Sequence, residues 1–283
     1  MPEDLPDTTS TPSSVSAFGA ALLSPSRTGS SRGAPVAGDA LDATFDKLTL
    51  EARLFPGDQS RPSIIVGEFR ILERLGLGGM GAVYRAHSER LQRDVALKKL
   101  NDLGDDPDHV QRLLQEARCL ARVNHPNVVH IHECPPQLPW RVVDPEGLAG
   151  PMPSGLTSVI VMEYLEGSSL RGWLAAAPRS WRQIVAVLVQ AAHGLAAAHA
   201  CGLLHGDLTL GNIVVTRQGV AKLVDFGLAR PQADETPAPP WAPRIALDEA
   251  CGTPGYIAPE QLAPGTIDAR TDLFSLCVVA WEA

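Results

Sequence analysis

Two short segments in the second half of the sequence combine acidic and amide side chains in a pattern suited to phosphate chemistry. Asp207 and Asn212 lie in one turn-rich run, and Asp225 follows an apolar run and precedes Phe226 and Gly227. A carboxylate in such a loop can accept a hydroxyl proton, and carboxylate and amide oxygens bind Mg²⁺. Each residue taken alone is equally typical of a turn. Together they predict a proton acceptor and two metal ligands.

A glycine-rich run in the first half can bring the backbone close to phosphate oxygens. Residues 76–83 read G-x-G-x-x-G-x-V. Glycines let backbone N–H groups approach phosphate, although such a run alone is equally typical of a hairpin. A dinucleotide-binding fold is disfavoured, because a strand and not a helix follows Gly81. The residues predicted to contact phosphates are Gly76, Leu77, Gly78, Gly79, Met80 and Gly81.

A lysine near the end of an apolar strand is the next candidate. Lys98 closes the run V-A-L-K and can reach inward to paired phosphates. Glu116 is its predicted partner, because it lies beside the apolar face of a predicted helix at residues 107–122. Taken alone, this pair is more typical of a solvated strand lysine and a helix-surface glutamate.

The last motif is the run G-T-P-G-Y-I-A-P-E at residues 252–260, with Asp272 following it. This run resembles the end of the activation segment of protein kinases. Five motifs thus occur in the order typical of that family, and their joint occurrence by chance is negligible. Residues 67–283 therefore resemble the bacterial eukaryotic-like Ser/Thr protein kinases.

The resemblance implies an α+β, two-lobed protein-kinase-like fold with a β-rich N-lobe and a mainly helical C-lobe. ATP and Mg²⁺ would lie in the cleft, and the γ-phosphate would pass to Ser or Thr hydroxyls of protein substrates. The implied catalytic residues are Asp207, Lys98, Glu116 and Asn212, and the implied metal ligands are Asn212 and Asp225. Thr253 would help to hold the substrate peptide. The residues implied around the adenine are Val83, Ala96, Met162, Glu163 and Leu165.

The sequence departs from the family pattern at three places. Gly206 stands where the family has Arg, and Thr209 stands where its Ser/Thr members have Lys. The chain also ends within a helix that starts near Asp268, so the C-lobe is expected to lack its last helices. A further segment or a partner is expected to complete it. Apolar residues cover most of that helix and predict exposed apolar surface.

Two other functions stay open. One is a pseudokinase or nucleotide-binding scaffold with weak or no catalysis, which Thr209 and the short C-lobe favour and the other intact motifs oppose. The second is a small-molecule kinase of the aminoglycoside or choline type, which the run H-G-D-L followed by Asn212 resembles. The D-F-G and A-P-E runs are typical of protein kinases and favour the first interpretation.

The predicted organisation has three parts. Residues 1–62 form a disordered Ser-, Pro- and Gly-rich extension, in which residues 45–50 are the one candidate for a short ordered element. Residues 63–165 form the N-lobe and hinge, with strands at 69–75, 82–86, 95–100, 128–132 and 158–163. Residues 166–283 form the partial C-lobe. The Pro- and Gly-rich residues 135–155 predict a long surface loop.

Composition limits the partners and the compartment. The net charge of −8 disfavours nucleic acid and anionic membranes as partners. The five cysteines are widely spaced and predict reduced thiols, not disulfides or a zinc site. The N-terminus lacks the pattern of a secretory signal. Polar residues interrupt the apolar stretch 184–200, which therefore predicts a buried helix and not a membrane span. A cytoplasmic protein is expected.

Overall fold

The computed structural model describes residues 40–54, 62–78, 81–100, 117–135, 137–144, 154–226, 244–247, 252–262 and 265–283. The elements up to the hinge are α1 (Ala40–Leu54), β1 (Ser63–Val66), β2 (Phe69–Gly78), β3 (Gly81–Ser88), β4 (Arg93–Lys99), β5 (Ile131–Glu133), β6 (Leu138–Val143), β7 (Ser154–Thr157) and β8 (Val159–Glu163). The later elements are β9 (Gly167–Ser169), α2 (Leu170–Ala176), α3 (Trp181–Ala200), β10 (Ile213–Thr216), β11 (Ala221–Leu223), β12 (Arg244–Leu247), a 3₁₀ turn (Pro259–Leu262), β13 (Gly265–Asp268) and α4 (Ala269–Glu282). A β-rich lobe thus precedes a mainly helical one, as expected.

The strands before the hinge form one antiparallel sheet in the order β5-β8-β4-β3-β2-β1-β6-β7. The predicted strands at 69–75, 82–86, 95–100 and 158–163 are confirmed as β2, β3, β4 and β8. The strand predicted at 128–132 is shifted toward the C-terminus, as β5. Because β2, β3 and β4 are neighbours, the glycine-rich turn lies beside the strand that carries Lys98.

The prediction of a surface loop at residues 135–155 is wrong in part, because most of the described residues of this segment belong to strands. β6 pairs with β1, where Trp140 lies opposite Val66, and β7 pairs with β6. Leu138, Trp140 and Val142 alternate with other residues and so share one face of β6. The proline and glycine content of the segment concealed this alternation.

Residues 40–54 form α1, so the prediction of disorder is wrong for the parts of this helix on either side of residues 45–50. Leu41 is buried, and Phe45 and Leu48 are partly buried against the same apolar cluster. These three residues recur at spacings of four and three, as on one face of a helix. The candidate ordered element at residues 45–50 lies within this helix.

Both faces of the N-lobe sheet are covered by apolar packing. One face packs against the helical residues 117–120 and against residues of the C-lobe. The opposite face packs against α1, and Trp140 and Val142 of β6 belong to the same cluster. Side chains alternate along a strand, so consecutive residues belong to different faces. The first cluster includes Val83, Ala96 and Met162, and the second includes Tyr84, Leu97 and Trp140.

Helix α3 packs in the core of the second lobe. Its N-terminus has a capping box, in which Ser180 and Gln183 each accept a hydrogen bond from the other's backbone N–H. Gly194 lies so close to the carbonyl of Asn127 that a Cβ there would come within 2.5 Å of the oxygen. Glycine therefore permits the close approach of α3 to the loop that contains Asn127, which leads to β5.

Among the described residues, α3 is the one helix with the length and apolar composition needed to cross a membrane. Length and composition are weak evidence, because the core helix of a soluble protein meets the same criteria. One side of α3 lies in the core, through Val187, Ala191, Leu195 and Ala198, and the other exposes Trp181, Val185 and Val189.

Helix α4 turns polar residues inward and apolar residues outward. Thr271, Asp272 and Ser275 are buried, together with Val279. Leu273, Phe274 and Trp281 are exposed, Trp281 by 90%. The exposed apolar surface predicted for this helix is therefore present, and the buried polar residues are available to bind neighbouring segments.

We expect the substitution Trp140→Ala to lower the free energy of unfolding by about 3–5 kcal/mol, because it removes a buried aromatic side chain from the cluster under α1. Urea unfolding of the full chain measures the change. Leu156→Ala on β7 is the matched control, since Leu156 is 61% exposed, and its cost should be within about 0.5 kcal/mol. Equal stability of the Trp140 variant and the wild type would show that β6 lies outside the cooperative fold.

Candidate active site

Lys98 lies on the face of β4 that also carries Ala96, and its ammonium forms an ion pair with the carboxylate of Asp225. Both side chains are largely shielded from solvent, with exposures of 12% and 21%. Lys98 is opposite Val83 on the neighbouring strand. This ion pair joins the N-lobe sheet to the segment after β11. Glu116, the predicted partner of Lys98, lies outside the described residues, so that pairing stays a prediction.

The glycine-rich run forms the end of the β2–β3 hairpin. Gly78 pairs with Gly81 as the last pair of the ladder. Gly81 has a φ of +139°, a conformation that residues with a Cβ rarely adopt. The hairpin end therefore depends on glycine. This conformation suits both a phosphate-binding turn and a simple hairpin. Of the other predicted contacts, Gly76 is buried, Leu77 is exposed, and Gly79 and Met80 lie outside the described residues.

Four of the five residues implied around the adenine belong to one apolar cluster, namely Val83, Ala96, Met162 and Leu165. Val224, which precedes Asp225, belongs to the same cluster, so the apolar wall reaches the Lys98–Asp225 pair. The fifth residue, Glu163, differs. Its carboxylate accepts hydrogen bonds from Lys222 Nζ and from the His130 N–H, both at 2.7 Å. Its side chain is therefore occupied, and its backbone N–H donates to the carbonyl of His130 at 2.9 Å.

Asp207 and Asn212 are brought together by hydrogen bonds of their own loop. Asn212 Nδ2 donates to the carbonyl of Asp207 at 2.7 Å. Asp207 Oδ1 accepts from the Thr253 N–H at 2.8 Å and from the Thr253 hydroxyl at 2.7 Å. Among the described residues, the other carboxylate oxygen, Oδ2, accepts no hydrogen bond. The carboxylate is thus oriented through one oxygen while the other is left for a ligand.

The environment of Asp207 makes its carboxyl group a better proton acceptor. Burial raises its pKa above the ordinary value for Asp, and the negative charge of Asp225 acts in the same direction. The hydrogen bonds from Thr253 and the charge interaction with His205 lower the pKa and partly oppose burial. An ionised carboxylate with a raised pKa takes a proton more readily, which suits general base catalysis.

Asn212 and Asp225 are adjacent and provide oxygen ligands. The Val224 N–H donates to the carbonyl of Asn212 at 3.0 Å, which brings the following residue, Asp225, next to the amide. Asn212 Oδ1 is buried and has no hydrogen-bond partner within the described residues. Asp225 has a φ of +58°, an uncommon conformation for a residue other than glycine and one often found at functional sites. A buried amide oxygen without a partner beside a carboxylate fits Mg²⁺.

Asp272 holds the loop of the candidate site, although the sequence analysis gave it no role. Its side chain is fully buried, and its carboxylate accepts from the His205 N–H at 2.8 Å and the Gly206 N–H at 2.7 Å. It also accepts from His199 Nε2 at 2.7 Å. One carboxylate therefore ties α4 and α3 to the loop that carries Asp207. The available signal was an acidic residue inside an apolar helix, because a buried carboxylate needs donors.

The two substitutions in the catalytic loop have local structural explanations. Gly206 has a φ of +71°, which glycine adopts without strain, and its carbonyl accepts from Gln261 Nε2 at 2.8 Å. Thr209 is buried, and its hydroxyl accepts from the Gly211 N–H at 3.1 Å. Both positions thus serve the fold of the loop, and neither supplies a positive charge.

The segment of residues 252–262 is anchored on α4. The Ser275 hydroxyl donates to the carbonyl of Tyr256 at 2.8 Å, and the Thr271 hydroxyl donates to Glu260 Oε1 at 2.8 Å. The Glu260 carboxylate is exposed to solvent, so its charge needs no cationic side chain to compensate for burial. Helix α4 thus holds both this segment and, through its buried carboxylate, the catalytic loop.

We expect Asp272→Asn to lower the free energy of unfolding by about 3 kcal/mol, because an amide cannot accept all three hydrogen bonds and presents its own donors to the loop. Chemical unfolding measures the loss. The control is Glu260→Gln, since Glu260 is exposed and accepts one described hydrogen bond; its cost should stay below about 1 kcal/mol. A stable Asp272 variant would mean that the loop is held by other contacts.

Comparison with known proteins shows which family the chain belongs to. Residues 69–283 match the model of the protein kinase domain. The serine/threonine-protein kinase PknB of Mycobacterium leprae is 34% identical over 223 residues, which cover 78% of this chain and 33% of the relative. The serine/threonine-protein kinase PknA of Mycobacterium tuberculosis is 35% identical over 219 residues, which cover 77% and 46%. The chain thus spans between a third and a half of these relatives' lengths, and it belongs to the protein kinase domain family.

Proposed function

We propose that this chain transfers the γ-phosphate of ATP to Ser or Thr hydroxyl groups of protein substrates. One observation carries the proposal: Asp207, oriented by Thr253, shares a loop with Asn212, which lies beside the Lys98–Asp225 pair. A proton acceptor, a metal-ligand pair and a phosphate-binding cation are thereby gathered in one cleft. The curated relatives are named as Ser/Thr kinases, and the activity is inferred through the domain that they share with this chain.

Asp207 acts on the acceptor side of the reaction. As the acceptor oxygen attacks the γ-phosphorus, its proton passes to Asp207 Oδ2, since Oδ1 is held by Thr253. The bond between phosphorus and the β,γ-bridging oxygen breaks, and ADP leaves. Proton transfer of this kind contributes about 10²–10⁴ in rate.

Lys98 and the glycine-rich turn act on the nucleotide side. The Lys98 ammonium neutralises phosphate charge, and the backbone N–H groups of the turn add donors. Asn212 and Asp225 would hold Mg²⁺, which neutralises the charge on the phosphates when bound. The apolar wall formed by Val83, Ala96, Met162 and Leu165 would take the adenine ring. Transfer then depends mainly on positioning and charge neutralisation.

A pseudokinase is the competing function, and Thr209 is the observation that favours it. A threonine provides at most a neutral hydrogen bond to the transferring phosphoryl group, and charge-assisted hydrogen bonds are about twice as strong. The Thr209 hydroxyl also already accepts from Gly211. Slow turnover is therefore expected even if the chain is active.

The cellular location is also a proposal. Cys119, Cys134, Cys201 and Cys277 are free thiols, as expected in a reducing compartment. A cytoplasmic location for this part of the chain is consistent with them.

We expect the full chain, incubated with radiolabelled ATP, Mg²⁺ and a generic protein acceptor, to label Ser and Thr residues, and Asp207→Asn to reduce the rate by about 10²–10⁴ with little change in ATP affinity. The amide keeps the shape of the carboxylate but cannot take the proton. Glu89→Gln, which removes a surface carboxylate paired with Arg70, serves as the control and should label at the wild-type rate.

Two results would contradict the proposal. ATP binding without labelling by the wild type would favour the pseudokinase. Equal rates for Asp207→Asn and the wild type would remove Asp207 from the chemistry.

We expect Thr253→Val to move the acidic limb of the kcat/KM profile to higher pH. The Thr253 hydroxyl lowers the pKa of Asp207, so its loss raises that pKa and protonates the base at a higher pH. Only the ionised carboxylate accepts the proton, and activity is therefore lost as pH falls through the raised pKa. Rate profiles between about pH 5 and 9 measure the limb. An unchanged limb with reduced kcat would show that Thr253 acts on geometry alone.

A further inference from the structure

Helix α1 contacts the outer face of the N-lobe sheet through charged and aromatic groups. Asp42 accepts hydrogen bonds from the Tyr84 hydroxyl and from Lys99 Nζ, the latter at 2.7 Å. Asp46 pairs with Arg74 at 2.6 Å. The Phe45 ring meets the Tyr84 ring edge-on, with centroids 5.1 Å apart. These contacts attach α1 to three adjacent strands.

The same three strands carry the nucleotide-binding residues on their opposite face. Arg74 lies on β2 just before the glycine-rich turn, and Tyr84 follows Val83 on β3. Lys99 follows Lys98 on β4. Consecutive side chains of a strand point to opposite faces. Each strand residue that contacts α1 is therefore next in sequence to a residue that faces the cleft.

The Asp42 contacts are buried, which makes them matter for strand position. The Lys99 side chain is 4% exposed and that of Asp42 is 14% exposed. A buried ammonium group is tolerated when it is paired, so Lys99 holds its place only while Asp42 is docked. Burial, followed by the hydrogen bond with Asp42, raises the pKa of Tyr84, so the phenol keeps its proton and donates it to the carboxylate.

The pair also fixes which lysine of β4 faces the cleft. A shift of one residue in the pairing of β4 would exchange the faces of Lys98 and Lys99. With Lys99 paired to Asp42 on one side and Lys98 paired to Asp225 on the other, both faces of the strand specify the same register. The outer contact therefore supports the cation that meets the phosphates.

We propose that Asp42 is a positioning residue for the nucleotide: by holding Lys99 and Tyr84, it couples the docking of α1 to the geometry of Lys98 and of strands β3 and β4. The inference rests on the proposed function, since it concerns the affinity for Mg·ATP. Coupling of this kind is reciprocal, so the nucleotide must stabilise docked α1 to the same extent as docked α1 strengthens nucleotide binding.

The first test compares two carboxylates of the same helix. Binding of a fluorescent ATP analogue with Mg²⁺ is titrated on the full chain, on Asp42→Asn and on Glu51→Gln. Glu51 is exposed and pairs with Lys47 within α1. We expect Asp42→Asn to raise the Kd about tenfold, within the usual range of coupling between sites, and Glu51→Gln to leave it unchanged. The KM for the protein acceptor should stay at the wild-type value in both.

The second test needs no variant and covers the case in which Asp42→Asn fails to fold. Amide hydrogen exchange of the wild-type chain is followed with and without a non-hydrolysable ATP analogue and Mg²⁺. We expect the nucleotide to slow exchange in α1 several-fold, although α1 lies on the face away from the cleft. Where Asp42→Asn does fold, this slowing should be lost in the variant.

The outcomes separate this inference from the proposed function. A wild type that binds no Mg·ATP would overturn both. A wild type that binds nucleotide while Asp42→Asn binds it equally well would overturn the positioning role and leave the proposed function intact. An α1 whose exchange does not respond to nucleotide would overturn the coupling in the same way.

Discussion

Strand β4 places one lysine on each of its two faces, and the N-lobe is organised around that alternation. Lys98 meets Asp225 on the cleft side, and Lys99 meets Asp42 on the outer side. Neither ammonium group can move into the opposite apolar cluster without losing its carboxylate, and an unpaired buried charge is costly. The register of β4 against β3 and β8 is thereby specified twice, by apolar packing and by charge.

A buried carboxylate plays the corresponding part in the second lobe. Asp272 itself lies on α4. Its carboxylate accepts hydrogen bonds from the backbone N–H groups of His205 and Gly206, the two residues that precede Asp207. These buried backbone groups are satisfied by a carboxylate on a rigid helix, and the hydrogen bonds help to fix the shape of the loop at this point. Gln261 binds the carbonyl of Gly206 from the other side. The loop segment before Asp207 is thus positioned by Asp272 on α4 and by Gln261 in the 3₁₀ turn.

The N-lobe sheet contains strands beyond the five that were predicted for it, and a helix covers its outer face. Strands β1, β6 and β7 extend the sheet beyond β2, and α1 closes the apolar surface that results. Trp140 and Val142 complete the cluster to which Tyr84 and Leu97 belong. Strands β2, β3 and β4 are therefore packed on both faces, which limits how far the β2–β3 hairpin can shift as a unit.

The order of the motifs, and with it the fold class, could be predicted from the amino-acid sequence alone, because glycine, lysine and the acidic residues are recognisable from type and spacing. The sequence also singled out Lys98, Asp207, Asn212 and Asp225 as candidates, and the tertiary structure brings these residues close to one another. Pairing partners were decided only by the fold, since contacts such as Asp42 with Lys99 join residues distant along the chain and leave no periodic signal. For the same reason, β6 and β7 were read as a loop: a strand among prolines and glycines becomes evident when its partner strand is present to receive its hydrogen bonds. Asp272, too, acquires a role only when three donors converge on it.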